Sequence, residues 1–111
     1  MARITRSPEI RRIFEGGKRL SRGPLTVLGI RRSDAPQIRR AGVIVGRKFG
    51  GAVERNRIKR RLREILRTHP ESVPPGWDWL LLPRSPVQSW SFATLNQRIA
   101  ALFVEWTKTG A

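Results

Sequence analysis

The stretch Gly42-Val43-Ile44-Val45-Gly46-Arg47-Lys48-Phe49-Gly50-Gly51-Ala52-Val53-Glu54-Arg55-Asn56-Arg57-Ile58-Lys59-Arg60-Arg61-Leu62-Arg63-Glu64 decides how the rest of the chain is read. Its opening run, Gly42 to Val45, is too short for a helix and rich in β-branched side chains, which predicts a buried strand. Phe49-Gly50-Gly51 then marks a turn. From Ala52 to Arg67 a rotation of about 100° per residue gathers Ile58, Leu62, Ile65 and Leu66 on one helical face, and His69-Pro70 stops the helix. Trp77 to Leu82 follows as a near-continuous apolar run between Pro74-Pro75-Gly76 and Pro83. The intervening helix is long enough for a crossover, so Val43 to Leu82 reads as a strand–helix–strand unit.

Working outward, Ser7-Pro8-Glu9 has the form of a helix start, with Ser7 as N-cap, Pro8 at the first helical position and an acid in the first turn. Ile10, Ile13 and Phe14 follow at helical spacing, and Gly16-Gly17 closes the helix in the left-handed conformation that glycine adopts cheaply. Lys18 to Arg32 reads as short extended pieces with Leu25 to Ile30 as the principal strand, and Ser33 to Gln37 as a loop. Ser91 caps a final helix in which Phe92, Leu95, Ile99, Leu102, Phe103 and Trp106 form a core stripe. The sum is one α+β domain, residues 1–111, in which helices cover a small mixed sheet.

The charge is distributed unevenly. Residues 1–68 hold 20 basic and 5 acidic side chains, whereas residues 69–111 hold 3 of each, so the first part accounts for the whole net charge of +15. A surface of one sign concentrated in part of a compact chain points to a polyanionic partner, nucleic acid before anionic membrane. With no cysteine and a single histidine, His69, disulfides and the usual zinc ligand sets are excluded. No apolar run reaches signal or membrane-span length, and the expected compartment is the cytoplasm. Eight scattered carboxylates and one histidine give no nucleophile–base pair or acidic dyad, so any catalytic role requires reactive groups from a partner.

Six of the nine residues from Arg55 to Arg63 are basic. On a helix, Arg55, Asn56, Lys59, Arg60 and Arg63 fan across about 140° beside the apolar stripe, with Arg57 and Arg61 on the other flank. Like charges at i, i+4 repel, so phosphates should stabilise this surface. Asn56 adds a group that both donates and accepts, able to reach a sugar hydroxyl or base edge. The turn Arg47-Lys48-Phe49-Gly50-Gly51 precedes the helix N-terminus, where glycines allow backbone amides to approach a phosphate; an ordinary turn needing positive φ has the same composition. Phe14 shares a helix with Ile10 and Ile13, and that spacing places it in the core; an aromatic there could also stack on an unpaired base. Trp77, Trp79, Trp90 and Trp106 lie in the part without net charge and read as structural. Composition alone fits a general RNA- or DNA-binding or ribosomal-type protein.

The segment Gly42 to Glu64, with its strand, glycine turn, Ala-Val and basic Arg-Asn-Arg helix, resembles the bacterial ribonuclease P protein family. Ile10 to Gly17 looks like that family's first helix and its glycine end, and Trp77 to Arg84 like its late strand. The resemblance implies an α-β-β-β-α-β-α order with a left-handed βαβ crossover, against the usual right-handed rule. It further implies a protein cofactor that binds the catalytic RNA and the 5′ leader of precursor tRNA. The RNA would carry the magnesium-dependent hydrolysis, with no cofactor bound directly by the protein and neither DNA nor membrane as partner. Carried over, Arg55, Asn56, Arg57, Lys59, Arg60 and Arg63 would contact the catalytic RNA, and Phe14, Arg47 and Lys48 would lie near the leader, with Arg11 of the first helix among the RNA-binding residues. Two departures are visible: Gly51 stands where the family has asparagine, which tolerates positive φ as glycine does, and Ile10 stands where it has an aromatic stacking platform.

Overall fold

The structure is a computed structural model that describes residues 1–109. Five strands, β1 (Ala2–Arg3), β2 (Lys18–Arg22), β3 (Leu25–Arg31), β4 (Arg39–Val43) and β5 (Trp77–Pro83), form one sheet in the order β1-β4-β5-β3-β2. Three helices accompany them: α1 (Ser7–Gly16), α2 (Ala52–Thr68) and α3 (Phe92–Thr109). β4 and β5 are adjacent and parallel with α2 between them in sequence, as the strand–helix–strand reading requires. β3 runs antiparallel to β5, and β2 antiparallel to β3. The α+β order is the expected one, with the two-residue β1 added in parallel to β4.

The period-2 alternation of β5 divides the interior into two layers. Trp79 and Leu81 face a main core with Ile58, Leu62, Ile65 and Leu66 of α2 and Leu95, Ile99, Leu102, Phe103 and Trp106 of α3. Leu80 faces the other way, into a small cluster with Ile4, Ile13 and Leu28 beneath α1. The predicted α2 stripe is therefore a core face, as is the α3 stripe from Leu95 to Trp106; Phe92, read as the first member of that stripe, is instead 42% exposed in the first turn of α3. In the main core the Trp79 ring packs edge-on against Phe103 at 5.0 Å and Trp106 at 4.8 Å and stacks on Trp77 at 5.3 Å. Gly29 lies opposite on β3, and a Cβ there would meet the Trp79 ring at 2.6 Å, so this glycine gives the indole its space.

Several expectations need correction. Ser7 is the first residue of α1, not its cap; Arg6 holds the cap position without a side-chain hydrogen bond. Gly17 ends that helix in extended conformation, φ −81° and ψ 159°, and not left-handed. Glycine is required there by proximity, since a Cβ would sit 2.5 Å from the Ile13 carbonyl oxygen. The strand placed at Gly42 to Val45 begins earlier, at Arg39, and ends at Val43, because Arg39 and Arg40 find partners inside the fold: the Val73 carbonyl for the first, Glu9 and Asp78 for the second. Gly51 is the N-cap of α2 with φ −69°, so the positive-φ argument does not apply to it. Ser91 caps α3 as read, its Oγ accepting from the Thr94 N–H at 3.1 Å.

Candidate nucleic-acid interface

The polar side of α2 faces a groove of about 530 Å³ whose opposite wall is the N-terminal segment and the C-terminal end of β4, Ala41 to Val43. Asn56, Lys59, Arg60, Arg63 and Arg67 line one side, and Met1, Arg3, Ile4 and Thr5 the other. Glu64 is the sole acid of the lining, and Arg67 occupies it at 2.6 Å, holding its carboxyl below the ordinary range. Arg60 and Arg63 are exposed. Partial burial, followed by the neighbouring charge of Arg3, lowers the pKa of Arg63 from its usual position. That crowding of cations in a concave, acid-poor surface is what polyphosphate neutralises.

Not all of the predicted helix residues share this groove. Arg55 is half-buried and donates from Nη1 to the Gly50 carbonyl at 2.7 Å, tying the helix start to the preceding turn. Arg57 lies on the opposite flank in a shallow recess with Glu54, Ile58, Arg61 and Gln88. Arg61 donates to the Trp90 carbonyl at 2.7 Å, an anchor toward α3.

A second groove, about 680 Å³, shares no lining residue with the first. Its floor is one rung of the sheet: Leu82 of β5 pairs with Thr26 of β3, Thr26 with Ser21 of β2, and Ile44 joins from the end of β4 through its N–H to the Leu81 carbonyl. Phe14 at the end of α1 forms one wall. Arg47, Lys48 and Phe49 form the other, with Arg19 and Arg84 at the rim. Phe14 is 43% exposed, which overturns its assignment to the core; Ile13 alone of its helix is fully buried, and Phe14 turns toward the groove. Arg47 and Lys48 are exposed, while Phe49 between them is buried and anchors the turn. Ile10 packs into the α1-side cluster and does not line the groove. Arg11 is exposed on the outer side of α1, in a dent with Pro8, Arg12 and Glu15.

Sequence reading missed Arg3, Arg19, Arg67 and Arg84. Arg19 and Ser21 had a signal, being two apart on a strand, but their neighbours come from β3, β5 and the end of β4, whose register no local pattern states. Five of the eight acidic side chains pair with arginines: Glu9 with Arg40, Asp34 with Arg32, Glu64 with Arg67, Glu105 with Arg22, and Asp78 with three at once. Among the described residues no three His, Asp or Glu side chains converge.

An exposed aromatic over an apolar-to-hydroxyl floor, walled by cations, suits an unpaired strand, and a separate basic helix suits a folded polyanion. Residues 1–107 match the family model described as Ribonuclease P. The chain is 37% identical over 98 residues to the ribonuclease P protein component of Herpetosiphon aurantiacus, covering 87% of this chain and 78% of that protein. It is 39% identical over 101 residues to that of Syntrophomonas wolfei, covering 91% and 83%. The solved RNase P protein from Thermotoga maritima superposes with a TM-score of 0.80 at 30% identity, covering 93% of this chain and 96% of that one. Fold and sequence thus agree, and the chain belongs to the bacterial ribonuclease P protein component family, which serves in tRNA processing.

Proposed function

We propose that this chain is the RNA-binding cofactor of ribonuclease P, holding the catalytic RNA against α2 and the 5′ leader of precursor tRNA in the Phe14 groove. The observation that carries the reading is the presence of two basic grooves with no residue in common, which lets two RNA segments be engaged at once. On the α2 side, Lys59, Arg60, Arg63 and Arg3 neutralise phosphates while Asn56 can donate to and accept from a sugar or base edge. In the second groove Phe14 offers a stacking face without base preference, and Arg19, Arg47, Lys48 and Arg84 follow the backbone. Sequence-tolerant contacts suit a leader that varies from one precursor to another.

The chemistry belongs to the RNA, which uses magnesium for the hydrolysis. The protein contributes by reducing repulsion between enzyme RNA and substrate RNA, lowering the magnesium needed for productive binding. Binding is tested by measuring Kd at matched salt for ribonuclease P RNA and for an unrelated structured RNA of equal length. Tighter binding of the ribonuclease P RNA is expected; equal affinities would make the chain a general nucleic-acid binder.

A further inference from the structure

The helix that carries Phe14 is weakly anchored by apolar contact. α1 is ten residues long and buries only Ile13 completely. Its other attachment is electrostatic. Asp78 of β5 faces α1, one rung beyond Leu80 on the same side of the strand, and is 1% exposed. Three guanidiniums surround its carboxylate at 3.5 to 3.8 Å: Arg12 from α1, Arg32 from the end of β3 and Arg40 from β4. Arg40 also pairs with Glu9 of α1, whose carboxyl it holds below the ordinary range by hydrogen bonding. The first two turns of α1 are thus tied to the sheet through Glu9–Arg40–Asp78–Arg12.

In a chain with net charge +15, three converging arginines require that carboxylate. With it neutralised, Arg12 would be repelled from Arg32 and Arg40 and would carry α1 away from the sheet. The groove lies at the other end of this short helix: Asp78 and the floor residue Leu82 are four positions apart on one strand, roughly 13 Å. Phe14 lies only two residues beyond Arg12 on α1, so lifting the helix at Arg12 changes how far Phe14 overhangs the floor.

We propose that Asp78 is a positioning residue for the leader, acting through Arg12 and α1 to set the height of Phe14 over the groove. This rests on the groove being the leader site, so the test contains an arm for each statement. In holoenzyme assembled with the catalytic RNA, affinity is measured for a precursor with and without its leader, using wild type, Asp78→Asn, Arg12→Gln, Phe14→Ala and each of the first two combined with Phe14→Ala. Arg12 is 53% exposed, so Arg12→Gln leaves the fold intact if Asp78→Asn does not fold. Arg12→Gln and Asp78→Asn are expected to weaken leader-bearing precursor about tenfold, the scale of one lost base–aromatic stack, and to leave leaderless precursor unchanged. On the Phe14→Ala background they should have no further effect, and the salt slope should not change. A loss that adds to that of Phe14→Ala, or that falls equally on leaderless precursor, would overturn the proposal, as would full leader affinity in Arg12→Gln while Phe14→Ala loses it. No effect of Phe14→Ala itself would remove the leader reading of the groove and the proposal together.

Discussion

Replacing Lys59, Arg60 and Arg63 together by glutamine removes three positive charges from the α2 groove while retaining long side chains of similar helix propensity. None of the three lies in the core, so the folded state should survive with Tm unchanged or higher, since repulsion along the helix is relieved. Each phosphate contact contributes about 0.7 to 0.9 to the slope of log K against log salt, so three lost contacts flatten that slope by about 2.1 to 2.7. Between about 50 and 200 mM salt the variant's affinity for the catalytic RNA should fall about 20- to 40-fold less than that of the wild type. Filter binding or fluorescence titration at four salt concentrations gives both slopes. An unchanged slope, with the variant folded and binding weaker, would mean that these side chains do not meet phosphates, and the groove would lose its role.

Three further outcomes follow from the packing and electrostatics. Gly51→Asn places a capping side chain at a φ of −69° with open space around the Cβ, and should stabilise by about 0.5 to 1.5 kcal/mol in urea unfolding. Leu62→Ala empties a fully buried position between α2 and the sheet and should cost about 2 to 5 kcal/mol by the same measurement. The folded-state pKa of Glu9 lies below its ordinary 4.5, chiefly through hydrogen bonding to Arg40, so its pair with Arg40 contributes above pH 4.5 and is lost as pH falls below it. Glu9→Gln should therefore reduce the difference in stability between about pH 6 and pH 3, seen in denaturation midpoints.

What could be read from the sequence is what obeys a local period. Ile58, Leu62, Ile65 and Leu66 on α2, and Leu95, Ile99, Leu102, Phe103 and Trp106 on α3, are buried because a 3.6-residue repeat leaves them a common face. The cap at Ser91 likewise depends only on the three residues after it. Position Phe14 misled the same reasoning: a ten-residue helix has room for one buried residue over this sheet, and Ile13 takes it. β4 was displaced because charged residues break an apolar pattern unless their partners are known, and those of Arg40 lie 31 and 38 positions away. The groove floor is similarly nonlocal, since Ser21, Thr26, Ile44 and Leu82 meet only once the register of β2, β3 and β5 is set. Residue types announced a polyanion; tertiary pairing divided the cations into two grooves.

The most direct test of the account is the rate of 5′ leader removal from precursor tRNA at low magnesium and near-physiological salt, with ribonuclease P RNA alone, this protein alone, and both together. Cleavage rising only in the combined reaction is the predicted result; a combined rate equal to that of the RNA alone, with the protein shown to be folded, would contradict the cofactor role.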